Sequence, residues 1–126
     1  MQTIETTSGV IIEVEKGLIH FRYNKGLEIS ELQVVENLTH MEEYVEKYGK
    51  IKLILEIPSS TFDSSEAFEY LNEVKYKSEY TTAVALIVSS LAQKLNSKHY
   101  HTRVDADVPA EFFKNYTEAL EWIKSI

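Results

Sequence analysis

Ile51-Lys-Leu-Ile-Leu-Glu-Ile-Pro58 and Thr81-Thr-Ala-Val-Ala-Leu-Ile-Val88 are two short, mostly apolar runs with an amphipathic segment between them. Each has the length of one strand and is too continuous to alternate, which is the pattern of a strand covered on both faces. Pro58 closes the first run, since it cannot donate to a ladder. Between the runs, Ala67, Phe68, Leu71 and Val74 recur at helical spacing. Strand, helix, strand predicts a parallel pair with its helix crossing one face of the sheet. That unit decides for the α/β class.

Upstream, Val10-Ile-Ile-Glu-Val-Glu15 and Leu18-Ile-His-Phe-Arg-Tyr23 read as two strands joined at Lys16-Gly17, an opening antiparallel hairpin. Ser30-Glu-Leu-Gln33 has capping-box spacing, and Leu32, Val35, Leu38, Met41, Val45 and Tyr48 follow as one predicted apolar stripe, with Gly49 placed as a left-handed cap. Downstream, Ser89-Ser90 can cap a short helix through Leu91 and Leu95, and residues 96–107 are polar and irregular, a predicted loop. Pro109 to Lys114 holds one short strand, and Asn115 with Glu118 opens a last helix carrying Ala119, Leu120 and Ile123. The expectation is a single domain over residues 1–126, with a mixed sheet of about five strands, an N-terminal hairpin and helical crossovers.

Composition narrows the function classes. The 126 residues, 44% of them hydrophobic, suit one domain with a true core. The absence of Cys removes disulfides and thiolate chemistry. Against 20 acidic residues stand 13 basic ones scattered along the chain, and the net charge of −7 disfavours nucleic acid and anionic membranes as partners. Met1 to Gly9 lacks the basic and apolar regions of a signal peptide, and Ala83–Val88 is too short to span a bilayer. A soluble, cytoplasmic protein without stable membrane insertion is expected.

Candidate sites each carry a plain reading beside a functional one. In Phe62-Asp-Ser-Ser-Glu66, Asp63 suits an N-cap with Glu66 as its mate and Phe62 as a staple on Ala67; Asp63, Ser64 and Ser65 are also the candidate recognition or modification residues. Phe68 and Leu71 face inward on that helix while Tyr70 and Tyr76 face outward, which fits either core packing or a ligand pocket or homodimer contact. His99, His101, Asp105 and Asp107 fall in the polar loop without an established ligand spacing, so no metal and no cofactor is expected. His20 and His40 read as solvated or packed. No phosphate loop, nucleophile elbow or His-Glu-x-x-His element occurs, and no carboxylate pair is singled out, so the chain is read as noncatalytic.

The hairpin, the long helix, the buried strand and the Phe-Asp-Ser-Ser start of the next helix together resemble the STAS fold of bacterial anti-sigma-factor antagonists. The closing Phe113-Lys-Asn-Tyr-Thr-Glu-Ala-Leu-Glu-Trp-Ile123 is similar to the last helix of the small SpoIIAA-like proteins. The resemblance implies a regulatory protein-interaction module in which Asp63 and Ser64 match the motif whose Ser a partner kinase phosphorylates. Glu66 stands in place of the motif's Gly and sets a negative charge beside that hydroxyl. A second branch, similarity to CRAL-TRIO lipid carriers, implies instead a carrier or sensor of a small nonpolar ligand, with Phe68, Leu71, Leu91 and Leu95 as pocket lining and residues 90–108 as its lid.

Overall fold

The computed structural model describes residues 3–25, 28–57, 61–62, 80–88 and 108–126. Its strands are β1 (Thr3–Glu5), β2 (Gly9–Glu15), β3 (Leu18–Tyr23), β4 (Glu28–Ile29), β5 (Ile51–Ile57), β6 (Thr61–Phe62), β7 (Thr81–Val88) and β8 (Ala110–Phe113). Two helices are described, α1 (Glu31–Tyr48) and α2 (Tyr116–Ser125). The main sheet is mixed and six-stranded, in the order β1-β2-β3-β5-β7-β8. β1, β2 and β3 pair antiparallel, and β3, β5, β7 and β8 run parallel. The α/β class and the parallel β5–β7 pair are as expected.

Six strands replace the expected five because Thr3-Ile-Glu5, read as a polar lead, alternates and turns Ile4 onto the core. The turn from β1 to β2 is closed by the Thr6 N–H donating to the Gly9 carbonyl at 2.9 Å. A separate parallel pair, β4 with β6, sets Ile29 opposite Phe62 and was not anticipated.

Both faces of the sheet are covered. On one, Val34, Leu38 and Met41 of α1 pack over Ile11, Ile19, Phe21, Leu53, Leu55, Val84 and Leu86. On the other, Ala119 and Ile123 of α2 pack over Leu18, Ile54, Ala83, Ala85 and Ile87. The alternation of β5 and β7 therefore feeds two cores, which explains why their sequences lack a polar face.

α1 begins as expected: the Gln33 N–H donates to the Ser30 hydroxyl at 3.3 Å, and the Ser30 N–H to the Gln33 side chain at 3.0 Å. Its predicted stripe needs correction. Leu38 and Met41 are buried, but Leu32 is 82% exposed, and Val35 and Tyr48 are also exposed. The buried face runs instead through Val34, Asn37, Leu38 and Met41. Apolar periodicity could not choose between the neighbours Val34 and Val35; the choice is made by Asn37, whose amide donates to the equally buried Ser8 hydroxyl at 2.8 Å and also faces the buried Tyr23 hydroxyl. Burial holds the Tyr23 pKa far above its ordinary value, against the opposing hydrogen bond from Asn37. Gly49 has the expected positive φ of 93°, and its N–H donates to the Val45 carbonyl at 2.7 Å, but its ψ of −173° turns the chain out extended instead of continuing a left-handed cap.

The scattered bases also need correction, because the fold gathers Lys16, Lys50, Lys52 and Lys124 around one groove where the parallel strands begin, and Lys47 joins Lys16 over the Tyr48 ring.

Candidate functional site

Toward the carboxyl ends of β3 and β5, on the face covered by α2, lies a polar cluster in otherwise apolar surroundings. His20 stands beside Ile54 across the parallel pair, and Arg22 beside Glu56. The imidazole Nε2 of His20 lies 2.8 Å from Oε1 of Glu56. Asn115 caps α2 by accepting from the Glu118 N–H at 2.9 Å, and this fixes Tyr116 on the first turn. The Tyr116 ring lies 4.7 Å from the imidazole, tilted by 32°.

The electrostatics follow from burial. The His20 pKa is lowered chiefly by desolvation, with the Glu56 hydrogen bond and charge opposing and Arg22 adding to the depression. A neutral imidazole facing a carboxylate, which only accepts, carries its hydrogen on Nε2 and donates it. Tyr116 is held above its ordinary range by desolvation first and by the Glu56 charge second. With the His20 side chain 9% exposed and Glu56 27% exposed, solvent reaches the pair from the carboxylate side. The arrangement ties the first turn of α2 to the central strands.

A pH dependence follows. In the unfolded chain His20 takes up its proton near pH 6.5. In the native state it does so at lower pH, so between those two values the unfolded chain binds more protons. This contribution is complete above about pH 6.5 and is lost as the pH falls through the native pKa. NMR titration of the His20 ring protons is expected to give a midpoint below about 6.5, moved lower still in Glu56→Gln because the groups that raise it are gone. A midpoint at or above the unfolded value would contradict this account.

The candidate residues that the sequence offers for recognition, a pocket or a metal are not among those described. Asp63, Ser64, Ser65, Phe68, Leu71, Leu91 and Leu95, together with His99 and His101, lie outside the described residues. Their nearest described neighbour in the chain is Phe62, which precedes Asp63 and pairs with Ile29 just before the start of α1. There the exposed Leu32 and Val35 form the outer surface of the first turns of the helix.

An apolar crevice between α1 and the opening strands is lined by Ile4, Ile11, Phe21 and Met41. At its edge the Tyr44 hydroxyl donates to Glu13 at 2.5 Å and accepts from the Gly17 N–H at 2.9 Å. Its enclosed free volume of about 30 Å³ has room for a water or two and none for a lipid-like molecule. Among the described residues, no group of three or more His, Asp or Glu is placed to hold a metal ion, and no helix is long and apolar enough to cross a membrane.

The sequence read His20 as packed or solvated and singled out no carboxylate pair. The usable signal was Glu56, an acid near the end of an otherwise apolar central strand, where burial demands a partner. His20, on the adjoining strand and the same face, was the available one.

No curated protein and no solved structure matches this chain. A family described as a domain of unknown function, DUF7793, matches the chain over residues 12–126. Those residues take in most of the hairpin, both helices and every parallel strand of the main sheet, and the chain belongs to that family.

Proposed function

We propose that this domain is a noncatalytic, cytoplasmic regulatory module that acts by binding a protein partner, and that its sheet is of the STAS type. A hairpin leading into parallel strands, with α1 crossing from β3 to β5, supports the fold reading. The His20–Glu56 pair supports a noncatalytic one, because its geometry, with Tyr116 against the imidazole, ties the first turn of α2 to the central strands.

The observation that carries the binding reading is Leu32. A leucine 82% exposed on the first turn of a capped helix contributes almost nothing to the fold, yet its neighbour on the next turn, Val35, extends the same apolar surface. The β4–β6 pairing sets this helix start beside Phe62, the residue that leads into Asp63 and Ser64. The surface in this reading is the start of α1 beside the β4–β6 pair.

Leu32→Glu tests it. The variant is expected to unfold within about 0.5 kcal/mol of the parent, since no buried contact is lost, and to fail to retain a protein partner that the parent is expected to retain when purified from its own host. Retention of that partner, or a large loss of stability, would remove the surface from consideration. The carrier reading gains no support from the crevice under α1, which is too small for its ligand.

A further inference from the structure

At the opposite end of the sheet, where the parallel strands begin, the chain forms a groove of about 480 Å³. Its charged lining is Lys16, Lys50, Lys52 and Lys124 against the single acid Glu15, in a chain whose net charge is −7. Gly17, at φ 85°, turns the hairpin without placing a side chain over the opening, and Leu18 closes the floor. The Lys52 N–H donates to the Gly17 carbonyl at 2.8 Å, so β3 and β5 hold the two sides in fixed relation.

The lysines are only partly spent within the fold. Lys124 lies 3.9 Å from Glu15, a loose pair between exposed side chains. Lys16 sits 5.2 Å from the centre of the Tyr48 ring, and Lys52 reaches the main-chain oxygen of Ile126. Lys124 also compensates the carboxyl end of α2, as Lys47 does for α1. Lys16 and Lys50 are exposed, and neither lies in the last turn of a helix.

We infer that this groove receives an extended acidic segment of a protein partner, a second docking surface distinct from the start of α1. Charge complementarity selects an anion, and the groove's construction selects its kind. A compact, multiply charged phosphate favours an Arg fork or the amino end of a helix. The lining has no Arg, and among the described residues no helix begins at it. Lysines spread from the end of α1 to the end of α2 suit carboxylates spaced along a chain, each paired with one hydrated ammonium. A basic groove on an acidic body also orients such a partner before contact.

The test is fluorescence anisotropy of the full domain with a fluorescein-labelled peptide of alternating Glu and Ser, at low salt. Binding is expected, and it should weaken steadily as salt is added. Lys16→Glu with Lys50→Glu should weaken it by about tenfold or more, while Lys25→Glu with Lys114→Glu, an equal change of net charge at exposed lysines away from the groove, should alter it by less than about twofold. Thermal melting checks that each variant is folded, and the Lys16→Gln, Lys50→Gln pair replaces the first variant if it is not. Three results would overturn the proposal: no binding of the peptide, equal losses in the two charge-matched variants, or displacement of the peptide by pyrophosphate or single-stranded RNA at concentrations where a second acidic peptide fails.

Discussion

Replacing Gly9 by alanine is expected to cost about 3 kcal/mol, a large fraction of the roughly 5–15 kcal/mol that keeps a domain folded. Gly9 opens β2 opposite Tyr23, and a Cβ built there falls 2.0 Å from the Arg22 carbonyl oxygen and 2.9 Å from the Tyr23 Cα. Both obstacles are backbone, so no side chain can swing aside; β3 would have to move away from β2. Such a movement would also pull on Ser8, whose carbonyl accepts from the Asn24 N–H at 2.7 Å and whose hydroxyl is held by Asn37. The damage would thus reach α1. Thr7→Ala, two residues away, removes only the exposed hydroxyl bond of 2.8 Å to Glu36 and should cost less than about 1 kcal/mol. Urea denaturation of both variants distinguishes the outcomes, and a Gly9→Ala protein within about 1 kcal/mol of the parent would mean that the close strand approach is not required.

Leu38→Ala is expected to cost about 3 kcal/mol, while Leu32→Ala should leave stability within about 0.5 kcal/mol of the parent. The two leucines belong to one helix and both were assigned to its buried stripe by spacing. Leu38 is 2% exposed against the Ile11, Phe21 and Leu53 side of the sheet, so truncation loses its transfer energy and leaves a cavity in packed surroundings. Leu32 loses only contact with solvent, and alanine is at least as good a helix former. Equal costs for the two variants would show that α1 is rotated from the orientation described.

The comparison of these leucines also shows what was legible beforehand. The existence of α1, its Ser30 cap and its end near Gly49 follow from local chemistry, and each is seen. The hairpin turn at Lys16-Gly17 and the strands β5, β7 and β8 were legible for the same reason, since turn residues and continuous apolar runs act over a few positions. The rotation of α1 was not, because it depends on a buried polar contact between Asn37 and Ser8, residues 29 apart in sequence. The pairing of His20 with Glu56 is likewise long-range, linking strands that only the parallel topology brings together. β1 was missed because three residues are too few for alternation to stand out, and its place depends on the turn around Thr6 and Gly9. The lysine groove was invisible because its members come from the ends of five separate elements, none of which carries a basic run.

The outer strands of the main sheet have a further consequence. A sheet that ends in free backbone groups invites another chain to add itself, the first step toward aggregation. Among the described residues the two borders are short, Thr3–Glu5 and Ala110–Phe113, and each carries an exposed carboxylate, Glu5 on one and Glu111 on the other. Pro109 precedes β8 with no N–H to offer a newcomer. Two copies meeting border to border would gain only a few hydrogen bonds while bringing like charges together on bodies already strongly anionic. Fibre-like growth by strand addition is therefore discouraged at both of these borders, which disfavours the main sheet as a template for further copies.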